Sequence, residues 1–201
     1  MAEPALRIPS FDELYARIES LPQGVVGEIL EPGVLRTMSR PGRLHGRVAK
    51  KLIRLLGRFD IEDGGAGWWI LIEPEIRFPG PRLAVPDLAG YRVERVAELP
   101  EENPLSILPD WCCEILSPST ARDDRTLKLP LYAQSGVGWT WLVDPELQTI
   151  EVYETVSGRP ALAATARDNQ TGMLPPFEES IEIAGLWLPS KSRAATDPGL
   201  R

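Results

Sequence analysis

The stretch "WCCEILSPSTARDDRTLK", residues 111–128, decides the fold because it changes from a strand pattern to a helix pattern. "WCCEIL" predicts a buried strand, and "SPST" interrupts it. Thr120, with Asp123 three residues later, predicts the start of a helix, which Gly136 is expected to end. Glu114 lies within the apolar strand, where an unpaired carboxylate is costly. The sequence therefore predicts a partner for Glu114: a metal ion, a cation or a backbone donor.

Length and composition indicate a globular protein. The chain has 201 residues, of which 43% are hydrophobic and 25% are charged. We expect one domain over residues 1–188 and a disordered tail over residues 189–201. The sequence has neither a run of about 18 apolar residues nor the layout of a secretory signal, which predicts a cytoplasmic protein without membrane contact. The adjacent Cys112 and Cys113 point to opposite strand faces and predict core packing.

Positive charge is concentrated in one part of an acidic chain. The net charge is −7, yet no acidic residue occurs from Pro32 to Phe59. Apolar residues at helical spacing predict a long helix over residues 43–59. Its basic residues are candidates for contacts with phosphates, or alternatively form a solvated face. These candidates are Arg43, Arg47, Lys50, Lys51 and Arg54.

The remaining patterns predict strands around these two helices. Ser10 and Glu13 form a capping-box pattern for a short first helix. "VVGEIL" and "VLRTMS" predict one hairpin, and "GWWILIEPEIRF" and "AVPDLAGYRVE" predict a second hairpin across "PGPR". "GWTWLVD" and "TIEVYE" predict two further strands. The expected fold class is α/β, with a mixed sheet flanked by helices in the order helix, strand, strand, strand, helix, strand.

Two carboxylates are placed to converge. Asp87 and Glu114 lie in separate apolar strands, so neighbouring positions in one sheet would bring both side chains to one face. Mg²⁺ binds carboxylates and waters and accepts phosphate as a further ligand. If the turn of the second hairpin is centred on Gly80 to Arg82, Glu75 lies opposite Asp87 and becomes a third candidate ligand. A one-residue slip would turn Glu75 away.

The segments "VPDLAGY", "PDWCCEILSPSTARDDRTLKLPLYAQSGV" and "WTWLVDPELQTIEVYE" together resemble the Uma2 family. This is a bacterial group of restriction-endonuclease-like proteins within the PD-(D/E)XK nuclease superfamily, and the resemblance covers roughly residues 10–188. It implies metal-dependent hydrolysis of phosphodiester bonds in DNA, with Asp87 and Glu114 holding Mg²⁺ or Mn²⁺. It also implies a possible homodimer, because nucleases of this fold often cut two strands as pairs.

The superfamily pattern places a lysine two residues after the acidic residue, but here Leu116 follows Glu114 and Ile115. The resemblance implies that Lys128, in the next helix, takes this role. Helical spacing places Asp124, Lys128 and Tyr132 on one face, which predicts that Lys128 lies within about one water of the carboxylates. The alternative is a surface pair between Asp124 and Lys128. Pro130 predicts a distortion of this helix.

Two other functions are compatible with parts of the sequence. The chain could be a catalytically inactive nucleic-acid-binding or protein-interaction module on the same fold. A hydrolase built on Ser117 or Ser119 with His45 is disfavoured because neither serine has the glycines of a nucleophile elbow. Glu28 and His45 resemble recurring Uma2 positions, but the sequence leaves open whether they belong to the site. For His45, a surface imidazole is favoured over a catalytic role.

Overall fold

A computed structural model describes residues 7–39 and 42–187 of the chain, so the predicted tail at 189–201 lies outside the described residues. Within them there are three helical segments. The helices are α1 (Phe11–Glu19), α2 (Arg43–Leu56) and α3, which runs from Ala121–Asp123 through a π-helical turn at Asp124–Lys128 to Leu129–Ser135.

The described strands form three sheets. The strands are β1 (Val25–Glu31), β2 (Val34–Ser39), β3 (Trp68–Ile72), β4 (Ile76–Phe78), β5 (Arg82–Ala84), β6 (Leu88–Arg92), β7 (Trp111–Ile115), β8 (Trp139–Asp144), β9 (Thr149–Val156), β10 (Arg159–Arg167), β11 (Thr171–Met173) and β12 (Ser180–Glu182). The main sheet has the order β10-β9-β8-β7-β6-β3, and the smaller sheet has the order β2-β1-β5-β4. Strands β7 and β8 are parallel, whereas β6 and β7 are antiparallel. The predicted α/β class with a mixed sheet is confirmed.

The two faces of β7 build separate cores. Trp111 and Cys113 pack with Val48 and Leu52 of α2, and this core also takes in apolar side chains from the chain after β10. Cys112 points to the other face and packs with Tyr132 of α3. Both cysteines are buried and free, so the prediction of core packing is confirmed. Glu114 follows the alternation and shares its face with Cys112.

The second predicted hairpin is wrong in one respect, because each of its strands is divided between two sheets. β3 pairs with β6 in the main sheet, while β4 pairs with β5 in the smaller one. The break follows Ile72, where Glu73 has a φ of 48° and Pro74 cannot donate to a strand ladder. Pro86 lies at the matching break between β5 and β6. Because of these two breaks at proline residues, each of the two chain segments contributes one strand to each sheet.

The predicted helix ends are partly confirmed. Ser10 and Glu13 form the capping box of α1, and Gly136 ends α3 with a φ of 94°. Thr120 is not the predicted side-chain cap, because its backbone is already helical and its hydroxyl group contacts Ser117. The predicted distortion near Pro130 is the π-helical turn that precedes it, which accommodates a residue without an amide hydrogen.

Candidate active site

The start of β6 and the end of β7 bring Asp87 and Glu114 together. Leu88 pairs with Cys113 in the antiparallel ladder, and the next position of this register places Asp87 opposite Glu114. Directly opposed side chains share a face of the sheet. The amide of Ile115 donates to Asp87 Oδ2 at 2.6 Å, which orients this carboxylate beside the end of β7.

Lys128 lies among three carboxylates in the protein interior. Its Nζ is 2.9 Å from Glu28 Oε1, 3.2 Å from Glu114 Oε2 and 3.7 Å from Asp124 Oδ1. It also donates to the carbonyl of Val85 at 3.3 Å. An ammonium group has three donors, so these acceptors are sufficient to satisfy it without solvent. Lys128 thus lies in direct contact with Glu114, which is within the predicted limit of about one water.

Burial and the attraction between opposite charges together shift the pKa values of the groups in this cluster. Glu28, Glu114 and Lys128 are 1%, 2% and 3% exposed. Burial raises the pKa of Glu114 well above its ordinary value, against the attraction of Lys128. Burial also raises the pKa of Asp124 to about 6. For Lys128 burial acts to lower the pKa, but the attraction of the carboxylates outweighs it and raises the pKa well above its usual value.

The helical face predicted for α3 points at this cluster. Asp124, Lys128 and Tyr132 are all buried. The Tyr132 hydroxyl group donates to Glu114 Oε1, on the carboxylate oxygen that Lys128 does not contact. The alternative of a surface pair between Asp124 and Lys128 is therefore wrong. Instead, the two carboxylate oxygens of Glu114 accept hydrogen bonds from Lys128 and Tyr132, which lie about one helical turn apart.

His45 is not the surface imidazole that the sequence favoured. It is buried in the first turn of α2, and its Nε2 lies 3.0 Å from Asp87 Oδ1. Its Nδ1 is buried without a partner among the described atoms. The helical periodicity of the sequence did not predict this burial. His45 lies on the buried face of α2, at the part of that face which adjoins the site.

Glu28 is a site residue that the sequence did not assign. It lies in β1, and its Oε1 accepts from the amide of Val85 at 2.8 Å in addition to the contact with Lys128. The signal was present in "VVGEIL", where a glutamate interrupts an apolar strand just as Glu114 does. A carboxylate at such a position requires a compensating partner.

The predicted pairing of Glu75 with Asp87 is wrong. Phe78 pairs with Arg82, so the turn is centred one residue earlier than expected and the pairing moves by two positions. The amide of Glu73 donates to the Asp87 carbonyl at 3.1 Å, and Glu73 lines the same cleft as Asp87. Glu75 instead accepts hydrogen bonds from Tyr15 at 2.7 Å and from Asn103 at 3.0 Å.

Asp87, Glu114, Asp124 and Lys128 line a cleft of about 580 Å³. One wall comes from β1 and β2, and the other comes from the loop between β7 and α3. Ser117 in that loop contacts the hydroxyl groups of Ser119 and Thr120, both at 3.0 Å. His45 bonds to Asp87 and to neither serine, which gives no support to a serine hydrolase.

Comparison with known proteins agrees with this architecture. The family model of Uma2, described as "Putative restriction endonuclease", matches residues 12–186. The chain belongs to the Uma2 family. A crystal structure of "a putative nuclease belonging to DUF820" from Anabaena variabilis ATCC 29413 superposes with a TM-score of 0.66 at 22% sequence identity, covering 89% of this chain and 97% of that chain. Among curated proteins, none matches the sequence.

The basic helix of this Uma2 protein is α2, and four of its five candidate residues form an exposed ridge. Arg43, Arg47, Lys50 and Arg54 are exposed and lie opposite the buried stripe of the helix. They have no hydrogen bond or ion pair with any described residue. Lys51 differs, because its Nζ donates to the carbonyls of Gly185 and Trp187. Within the described residues the ridge, without Lys51, is therefore available to a ligand.

The chemistry of the Uma2 cleft fits a hard divalent cation. The described residues contain no group of three or more His, Cys, Asp or Glu side chains that is already placed to hold a metal ion. Mg²⁺ does not require one, since it commonly keeps several waters and takes one or two carboxylates plus substrate phosphates. Asp87 and Glu114 supply two such carboxylates, on opposed positions of neighbouring strands and in the lining of the cleft. A cation bound beside them would favour the ionised form of Glu114, whose pKa burial raises.

Over residues 7–39 and 42–187, none of the helices has the length and apolar character needed to cross a bilayer. The predicted homodimer and the predicted cytoplasmic location stay predictions.

Proposed function

We propose that this protein is a metal-dependent endonuclease that hydrolyses phosphodiester bonds in DNA, with Mg²⁺ or Mn²⁺ as cofactor. The observation that carries the proposal is the pairing of Asp87 with Glu114 across two strands at the floor of a cleft. Membership in the Uma2 family supports nuclease activity in general. The requirement for a metal ion and the DNA substrate are the more specific parts of the proposal.

Asp87 and Glu114 would hold the cation. A bound divalent ion activates water and neutralises charge on the transferring phosphate. In the reaction, the oxygen of a water molecule forms a bond to phosphorus and the bond from phosphorus to the leaving sugar oxygen breaks. The leaving oxygen takes up a proton equivalent to the one that the attacking water loses.

Lys128 and His45 act through these carboxylates. Lys128 is satisfied by Glu28, Glu114 and the Val85 carbonyl, so we assign it the role of orienting Glu114 and supplying positive charge behind it. His45 contacts Asp87 in the same way from α2. Both are positioning residues in this mechanism, and they hold the two carboxylates aligned at the floor of the cleft.

Metal-dependent stabilisation distinguishes this enzyme from an inactive module on the same fold. At a concentration of Mn²⁺ about 100 times the dissociation constant, binding adds about 2.7 kcal/mol to the free energy of unfolding. For a chain of this size the melting temperature should rise by about 5–10 °C. Asp87→Ala should abolish the rise. Cleavage of DNA should occur with Mg²⁺ or Mn²⁺ and cease with a chelator.

An inactive module gives a different result. Its melting temperature would not respond to Mn²⁺, or would respond equally in the wild type and in Asp87→Ala, and DNA would remain intact at every metal concentration. Glu154→Gln is the matched control for an exposed carboxylate outside the cleft. It should retain the full response to Mn²⁺.

We expect the ridge on α2 to contribute salt-dependent affinity for DNA. Arg47→Ala combined with Lys50→Ala removes two of its exposed charges. Each lost phosphate contact should flatten the slope of log affinity against log salt by about 0.9 on duplex DNA or about 0.7 on a single strand. Fluorescence anisotropy at several salt concentrations measures this slope. The melting temperature should change by no more than about 4 °C for the two substitutions together, because both positions are solvent-exposed.

The control for this experiment is Arg159→Ala combined with Arg167→Ala, which removes two exposed charges from β10. It should leave the slope unchanged. Lys51 is excluded from the ridge variant because its loss would remove two contacts to the segment after β12. An unchanged slope in the ridge variant would make α2 a solvated face.

A further inference from the structure

The charged groups at the floor of the cleft are withdrawn from the protein surface. Glu114, Asp124 and Lys128 are buried, and the side chain of Asp87 is 17% exposed. The cleft of about 580 Å³ falls within the size range of pockets that enclose a single small molecule, about 300–1,000 Å³. A phosphate must therefore enter between the walls to reach Asp87 and Glu114.

The described walls of the cleft carry hydroxyl and apolar groups. Thr37 and Ser39 belong to the wall from β1 and β2, and Ser117 and Ser119 belong to the wall from the loop after β7. Val26, Met38 and Pro118 add apolar groups to the lining. The only lysine or arginine among the described lining residues is Lys128, which is bound to carboxylates. Arg40, which follows Ser39, lies outside the described residues.

This lining differs from a surface built for duplex DNA. Proteins that hold a duplex neutralise its phosphates with lysine and arginine, and the duplex is stiff over about 150 base pairs. An unpaired strand can bend into a narrow cleft. The bases of an unpaired strand expose their hydrogen-bonding edges, which the hydroxyl groups of the lining can contact. The exposed basic residues of α2 are not among the residues that line the cleft.

We infer that the cleft accepts an unpaired DNA strand between its hydroxyl-lined walls, so that single-stranded DNA rather than intact duplex is the substrate. This inference rests on the proposed nuclease function. It specifies the substrate class of that same site, and the walls at Thr37 and Ser119 determine it.

The first test compares one DNA sequence in two states. A labelled single strand and the same strand annealed to its complement are incubated with the wild-type protein and Mn²⁺. The single strand should be cut at least about tenfold faster. Duplex cleavage at an equal or greater rate would overturn the inference while leaving the nuclease function intact.

Binding separates the inference from the nuclease function if neither substrate is cut. Anisotropy with Asp87→Asn protein should then show single-stranded DNA bound at least about tenfold more tightly than duplex. Equal affinities would overturn the inference. Tighter single-strand binding without cleavage by the wild type would support the inference and remove the nuclease function.

A negative charge introduced on each wall tests whether the DNA strand binds between them. Thr37→Glu and Ser119→Glu each add a negative charge at an exposed position of the cleft lining, one on β2 and one on the loop after β7. Each should weaken single-strand binding by about fivefold or more through repulsion of phosphates, with an unchanged melting temperature. Ser180→Glu on β12 is the matched control and should bind as the wild type does. Wild-type affinity in both wall variants would overturn the inference.

Discussion

Asp87→Asn and Glu114→Gln are each expected to reduce metal-dependent DNA cleavage by roughly a thousandfold, and the double variant should be no less active than either single variant. Metal-assisted stabilisation of the transition state contributes several kcal/mol, and about 1.4 kcal/mol corresponds to a tenfold change in rate. Both carboxylates serve one ion, so loss of either removes most of the effect. Initial rates with Mn²⁺ measure all three variants.

These substitutions are chosen to preserve the local hydrogen bonds. Glu114→Gln retains an acceptor for Lys128 or Tyr132, and Asp87→Asn retains an acceptor for the amide of Ile115. Glu154→Gln, at an exposed residue of β9, is the control and should keep wild-type activity. A double variant whose loss equals the product of the two single losses would show that the carboxylates act independently.

Lys128→Met should produce the largest loss of stability of any single substitution proposed for this chain. Methionine fills a similar volume but leaves Glu28, Glu114 and Asp124 without their cation. Removal of one partner from a buried ion pair costs about 3–5 kcal/mol. The melting temperature at pH 7 should fall by about 6–20 °C. Denaturant unfolding and thermal unfolding both measure the change.

The deficit of Lys128→Met should become smaller as the pH falls from 7 to 4. The pKa of Asp124 is about 6 in the folded protein, against an ordinary value of 3.8 in the unfolded chain. The folded state therefore binds the proton more tightly, and the contribution of Asp124 to stability decreases as the pH rises from about 4 to about 6. Protonation of this carboxylate at low pH removes part of the charge that Lys128 compensates.

Lys50→Met is the matched control for this experiment. Lys50 is an exposed lysine of α2, whereas Lys128 is buried in the acidic cluster. The control should change the melting temperature by no more than about 2 °C at any pH. A similarly small effect for Lys128→Met would mean that the cluster is stable without its cation, and the positioning role of Lys128 would be lost.

The sequence by itself determined the parts of this protein that depend on local pattern. Alternating and helical periodicity predicted β7, α2 and α3, since a side chain's face follows directly from its spacing. The same rule placed Asp124, Lys128 and Tyr132 together. Glu114 stood out because an apolar strand does not bury a carboxylate without a partner. Asp87 was found by the same argument.

The tertiary structure decided which distant residues meet. A shift of the hairpin centre by one residue brought Glu73 rather than Glu75 beside Asp87, and local sequence cannot resolve such a shift because neighbouring turns have similar energies. Glu28 and His45 come from other elements, so only packing could bring them to Lys128 and Asp87. The acidic residues at the floor of the cleft lie between its two walls because the smaller sheet packs against the main one.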